Sequence, residues 1–336
     1  MNAQLFAFKQ KGGASMEENK AMAITGAVPI IPIPFSAQDE IDEEALRRLV
    51  EHCVASKFKA ICLPAYGSEF YKLSDQERVR VVRVACEQAA GRLLVMAQSN
   101  HGSARMALAT ARLHIENGAS LISVAVPRLF TLSDDDLLRY FAQIFHGVDV
   151  PCLVQDFYPG GTTISAGFVA RLATECPNFR YLKFEEPTLS AKLKDIRQTT
   201  EGRIGVLDGT GGLYLMELIP DGLCGVMPGL ALADAVDRVF GLRVASRSAE
   251  AFELYEKLLP RIVFGLQNFE LWLYCEKRLL QARGLLDNSR CREASLVPDP
   301  SAVRYIDELN DRILEALEIA GLPAVVEKVE IGRRRP

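Results

Sequence analysis

Short apolar runs recur along this chain with a regular beat. They are Val28–Ile33, Ala60–Leu63, Leu93–Ala97, Leu121–Val126, Cys152–Val154, Tyr181–Phe184, Ile204–Leu207 and Cys224–Met227. With Ile30, Cys62, Val95, Val124, Val154, Leu182, Val206 and Val226 as centres, the steps are 32, 33, 29, 30, 28, 24 and 20 residues. Each run is short and apolar on both faces, as a strand buried between two layers should be. Between the runs the spacing turns helical: Leu46, Leu49, Val50 and Cys53 form one stripe. Ser74-Asp-Gln-Glu77 reads as a capping box opening the next helix, and Ser133 precedes another. Eight strand–helix units over about 220 residues predict an α/β fold, a (β/α)8 TIM barrel. The competing doubly wound sheet lacks its GxGxxG turn after the first strand.

After Gly241 the pattern changes. Residues 248–266, 269–283 and 301–320 are long, charged and helical in period, broken by Val297-Pro-Asp-Pro300. The expected layout is a flexible leader over 1–24, the barrel over 25–245, a C-terminal helical extension over 246–325 and a frayed tail over 326–336.

Composition narrows the function classes. Hydrophobic residues make up 49% and charged residues 24%, with a formal charge of -4, which speaks against a basic nucleic-acid face. No apolar run approaches the ~20 residues of a membrane span, and the first residues carry no secretory pattern. The eight cysteines form no CxxC pair and read as reduced core residues of a cytoplasmic protein. The four histidines lie near no Cys or carboxylate cluster, so no metal site is expected.

In such barrels the reactive groups sit at the C-terminal ends of strands. That rule collects Tyr66, Ser68 and Glu69; Gln98, Ser99, Asn100 and His101; Arg128; Gln155, Asp156 and Tyr158; Lys183, Glu185 and Glu186; and Asp208 and Thr210. Lys183 stands apart because Tyr181, Leu182 and Phe184 place it on a central strand. Pointed into the barrel, a buried lysine loses part of its preference for the ammonium form. It could then attack a ketone and form a Schiff base, an electron sink for C–C chemistry. The structural alternative is a lysine paired with Glu185 or Glu186 at the barrel mouth. Strand position alone leaves both readings open.

Several pieces in order resemble the dihydrodipicolinate synthase / N-acetylneuraminate lyase family of class I aldolases over residues 25–320. They are Pro34-Phe35, Gly67-Ser-Glu69 with Leu73-Ser74 and Glu77, Pro127, Tyr181-Leu-Lys-Phe184, Gly209, and Gly222-x-x-Gly-Val-Met-Pro-Gly229. The resemblance implies that Lys183 is the imine-forming lysine and that pyruvate is substrate or product. It also implies no metal or organic cofactor and a homotetramer or homodimer.

The departures are informative. Ala65-Tyr-Gly-Ser-Glu69 stands where the family has Gly-Thr-Thr-Gly-Glu, so the carboxylate-binding threonines fall on Tyr66 and Gly67. Ser68 and the amides of Gly67 and Ser68 remain as carboxylate donors. The family's catalytic tyrosine corresponds to Gln155, and the synthases' second-carboxylate arginine to Gly161. A neutral Gln is no general acid or base, so Asp156, Tyr158, Glu185 and Tyr66 become the proton-transfer candidates.

Around these, Arg128 is either a bidentate carboxylate clamp or a solvated loop residue, and His101 reads as a turn residue. Asp208-Gly-Thr-Gly-Gly212 resembles a small phosphate-binding turn. Phe252, Tyr255, Phe264, Phe269, Trp272 and Tyr274 read as packing or subunit interface. The expected activity is a Schiff-base lyase on pyruvate or a related 2-oxo acid, distinct from true dihydrodipicolinate synthase. Its catalytic set is Lys183, Glu185, Asp156 and Tyr66, and its substrate-binding set is Gly67, Ser68, Gln155, Arg128, Gly209 and Val226. The alternatives are a 2-keto-3-deoxy sugar acid dehydratase using the same imine and a non-catalytic keto-acid-binding homologue.

Overall fold

The computed structural model describes residues 24–128, 131–157, 163–187 and 190–326. The expected leader and tail, with Tyr158 and Gly161, lie outside the described residues or, for Ile24 and Val326, at their very edge.

Eight parallel strands alternate with helices: β1 (Gly26–Ala27), α1 (Glu43–Ala55), β2 (Ala60–Cys62), α2 (Asp75–Ala89), β3 (Leu94–Gln98), α3 (Ala104–Glu116), β4 (Leu121–Ala125) and α4 (Asp134–Phe145). The second half is β5 (Cys152–Asp156), α5 (Ala166–Glu175), β6 (Phe179–Phe184), α6 (Ser190–Thr199), β7 (Gly205–Asp208), the one-turn α7 (Leu215–Leu218), β8 (Gly225–Val226) and α8 (Ala233–Val244). The sheet runs β1-β8-β7-β6-β5-β4-β3-β2. It closes through Ile30, which bridges both Cys62 and Gly229, with the Ile31 amide donating to the Cys62 carbonyl at 3.0 Å. The (β/α)8 expectation holds.

The first strand is shorter than its apolar run. Pro29, Pro32 and Pro34 supply no N–H, so the ladder past Ala27 survives only as single bonds, such as Ile30 N to the Pro228 carbonyl at 2.8 Å.

Alternation sorts the side chains into two cores. Inside the barrel pack Val28, Ile30, Cys62, Met96, Leu121, Leu153 and Leu207, with Tyr181 against them. Between strands and helices lie Val95, Val124, Val154, Leu182, Phe184, Val206 and Val226. Helix starts follow their sequence signals. The Ser74 hydroxyl accepts the Glu77 amide at 3.2 Å while Glu77 accepts the Ser74 amide at 2.8 Å, and Ser133 with Asp136 repeats the box at α4.

Past the barrel come α9 (Ser248–Gly265), α10 (Phe269–Ala282) and α11 (Pro300–Ile319), within a residue of the spans read from sequence. Helix α10 is tied to the loop after β2. Lys277 pairs with the buried Glu69, and Lys72 joins Glu69 at 3.1 Å to Glu270 at 2.9 Å. The Tyr71 hydroxyl also donates to Glu270 at 2.8 Å. Among the described residues no helix is long and apolar enough to cross a membrane, and all eight cysteines are free, five of them buried.

Candidate active site

At the C-terminal ends of the strands lies a cavity of about 380 Å³. Its floor is Lys183 and Gln155, neighbours in register on β6 and β5. Lys183 points inward because its neighbours Leu182 and Phe184 are held in the outer core, and it is 8% exposed. Its Nζ lies 2.8 Å from Glu185 Oε1, on the same face two residues on. Gln155 Nε2 donates to the same oxygen at 2.6 Å, and Gln98 Nε2 donates to Gln155 Oε1. A relay of two amides therefore fixes the carboxylate beside the lysine.

Gly209 makes room for the pair: a Cβ there would stand 2.7 Å from Lys183 Cε. Gly67 sits under Trp272, whose Cη2 would be 2.8 Å from an added Cβ. Tyr66 overhangs the floor, and burial, with help from the Glu185 charge, pushes its phenol up from the usual range. That phenol stays protonated and can act as a donor at neutral pH.

The cavity thus gathers Lys183, Glu185, Tyr66, Gly67, Gln155 and Gly209 from the sequence expectation. Four expected residues fall elsewhere. Asp156, next to the inward Gln155, faces out and is fully buried, accepting from Arg128 and, at 2.6 Å, from the Ile164 amide. Burial pushes its carboxyl up, with the Ile164 amide and Arg128 opposing. Asp156 and Arg128 thus hold the β4 and β5 ends together outside the cavity. The Ser68 hydroxyl is buried and donates to the Ile31 carbonyl at 2.6 Å, while the Ser68 amide donates to the Ala65 carbonyl at 2.9 Å. Val226 packs in the outer core, and Met227 takes the place at the cavity.

Two further groups resolve. Glu186 pairs with Lys192 at 2.8 Å and accepts from Thr163, away from Lys183. The Asp208 turn is closed on itself: its carboxylate accepts the amides of Thr210 and Gly212, both at 3.0 Å, which are the donors a phosphate would need. His101 is a turn residue as expected, its Nδ1 accepting the Ser103 amide at 2.9 Å.

Sequence reasoning missed the outer wall. Phe269 and Trp272, expected to be packing or subunit interface, line the cavity, as do Phe157, Leu266, Gln267 and Asn268. The available signal was the i,i+3 spacing of Phe269 and Trp272 in the first turn of α10, just after the polar Gln267-Asn268.

A profile of the Dihydrodipicolinate synthetase family matches residues 23–295. The L-2-keto-3-deoxyarabonate dehydratase of Azospirillum brasilense is 26% identical over 82% of this chain and 91% of its own length. A 4-hydroxy-tetrahydrodipicolinate synthase of Thermus thermophilus is 33% identical over 49% of this chain and 55% of its own. Among solved structures, dihydrodipicolinate synthase from Rhodopseudomonas palustris superposes with a TM-score of 0.81 at 23% identity, covering 87% of this chain and 98% of that one. YagE of Escherichia coli K12, solved in complex with pyruvate, gives 0.77 at 20% identity, covering 86% and 98%.

Proposed function

The chain belongs to the dihydrodipicolinate synthetase family and is a lyase of that family, and from that premise we propose that it uses Lys183 to form a Schiff base with pyruvate or a related 2-oxo acid. The observation that carries this reading is the inward Lys183 with Glu185 Oε1 2.8 Å from its Nζ on the cavity floor. Glu185 takes the proton that Lys183 must lose before its nitrogen adds to the keto carbon. Glu185 returns that proton to the carbinolamine hydroxyl, which leaves as water and gives the protonated imine. With a 4-hydroxy-2-oxo acid bound, the C3–C4 bond then breaks, its electron pair moves into the imine to give an enamine, the C4 hydroxyl proton passes to Glu185, and C4 departs as an aldehyde. Protonation of the enamine at C3 and hydrolysis return pyruvate and the free lysine.

Tyr66 and the backbone of Gly67 hold the substrate carboxylate. Gln155 positions Glu185 without exchanging protons, which explains how a neutral residue can stand where the family resemblance puts a tyrosine. Gly209 keeps the space. Asp156, Arg128, Ser68 and Val226 have no part in this scheme.

A second reading has a specific support, the dehydratase relative matched over 91% of its length. There the same imine acidifies C3, the C3 proton is removed, and the C4 hydroxyl leaves as water with no C–C cleavage. A homo-oligomer, tetramer or dimer, in the cytoplasm is proposed from the family resemblance, and light scattering reads its mass.

The decisive experiment is incubation with pyruvate and borohydride, followed by peptide mass mapping, with Lys183→Ala as control. A reduced adduct on Lys183 alone is expected. Absence of an adduct with pyruvate and with larger 2-oxo acids overturns the imine mechanism and leaves Lys183 as the ion-pair partner of Glu185. Pyruvate release from a 4-hydroxy-2-oxo acid separates cleavage from dehydration.

A further inference from the structure

A cavity of about 380 Å³ holds far more than a three-carbon oxo acid. The wall above its floor is aromatic. Tyr66 stands 5.5 Å from Phe157, Phe157 stands 6.4 Å from Phe269, and Phe269 lies 5.7 Å from Trp272 with planes only 14° apart. The rings run without a break from beside Glu185 to the rim, where Phe269 is 37% exposed. All of them line the open cavity instead of filling a core.

Polar side chains on the same wall are engaged by their own loops. Thr210 Oγ1 donates to Asp208 at 2.6 Å, and Gln267 Nε2 donates to the Phe264 carbonyl at 3.1 Å. Asn268 Oδ1 caps α10, accepting the amides of Glu270 at 2.9 Å and Leu271 at 3.2 Å. A polyhydroxylated tail would trade most of its water contacts for aromatic faces, with side chains that are already partly engaged as its remaining partners. Among the described residues Lys183 is the only cationic side chain on the cavity wall, and it is paired with Glu185. A second carboxylate or a phosphate on the tail would meet no further counter-charge among the described residues of this wall.

We infer that the site takes 2-oxo acids whose C4 bears a flat apolar group, an aryl ring above all, with Phe269 and Trp272 setting that specificity. This rests on the imine reading of Lys183. In cleavage, the C3–C4 electron pair enters the imine, Glu185 takes the C4 hydroxyl proton, and an aryl aldehyde departs. The enamine then takes a proton at C3, and water frees pyruvate.

The test uses the full chain and three substrates: 4-hydroxy-4-phenyl-2-oxobutanoate, a 2-keto-3-deoxypentonate and 4-hydroxy-2-oxoglutarate. Consumption of each is followed by mass, so that cleavage and dehydration are both counted. The phenyl compound is expected to lead both others in kcat/KM by at least about tenfold. Trp272 abuts Gly67 and Gly229, so its removal disturbs the barrel mouth. Phe269→Ala and the volume-keeping Phe269→Leu are the cleaner variants, and each should narrow that preference by roughly five- to tenfold, the scale of one aromatic contact. Equal or reversed preference with the pyruvate adduct intact overturns the tail specificity alone, as does a preference unmoved in both variants. Absence of the Lys183 adduct overturns the imine reading beneath it.

Discussion

A Cβ on Gly209 would overlap Cγ of Glu185. The glycine just after strand seven and the glutamate just after strand six therefore share one volume. The Gly209 amide also donates to the Phe184 carbonyl at 2.6 Å, so the backbone cannot retreat easily. Gly209→Ala is expected to swing Glu185 away from Lys183 and to cut kcat/KM by about 100-fold, the scale of an ångström's misplacement. Circular dichroism should show the fold retained. Near-normal turnover in the alanine variant would mean that the pair relaxes without loss.

Glu185→Gln keeps the side-chain length and an oxygen for Gln155 but cannot accept a proton. Turnover is expected to fall roughly 10²- to 10⁴-fold, the range of a positioned acid–base group. Borohydride trapping of pyruvate on Lys183 should persist on long incubation, because imine formation has other, slower proton acceptors in water. Single-turnover kinetics check the split, and unchanged turnover would remove Glu185 from the proton path.

His52 and His114 make stability pH-dependent. They are 7% and 0% exposed, and burial pulls both from 6.5 down to about 4, reinforced by the charges of Arg283 and Arg78 respectively. Between those values the unfolded chain binds protons that the folded chain refuses, so stability falls as pH drops from about 6.5 to about 4. Each histidine contributes up to about 3 kcal/mol to that loss. Urea midpoints at pH 7, 5.5 and 4 should fall steeply, and His114→Gln should flatten the slope. A parallel slope in the variant would show that His114 carries none of it.

Lys277→Met is expected to destabilise the protein by about 3–5 kcal/mol, since it strips a charge partner from the fully buried Glu69. Lys72 remains at 3.1 Å and limits the damage. The double variant Lys277→Met, Glu69→Gln should recover part of the loss in thermal unfolding. No recovery would place the cost in packing.

Much of this architecture was legible in the chain. The eight-beat apolar pattern predicted the strands, and periodicity set the helices after Val244 to within a residue. Lys183 was readable as a central-strand lysine from its apolar flanks, and the six-residue strand of the structure fixes the phase that turns it inward. Strand eight has only two residues, Gly225 and Val226, and so short a segment does not fix which parity faces in. The outer-core place of Val226 and the cavity place of Met227 were for that reason not readable from the sequence. Asp156 with Arg128 and Ser68 with Ile31 are partners 28 and 37 residues apart, set by loop paths that no local rule supplies. The aromatic wall was misread because Phe269 and Trp272 look like any apolar helix face until the barrel mouth beneath them is known.

The order of these parts along the chain carries a consequence for synthesis. Lys183 and Glu185 leave the ribosome with strand six, well ahead of Phe269 and Trp272 on α10. The helix that walls the cavity is also the one whose Lys277 and Glu270 pin down the Tyr66 loop. The lysine–carboxylate pair and the aromatic wall above it therefore come from separate stretches of the chain and are synthesised in that order.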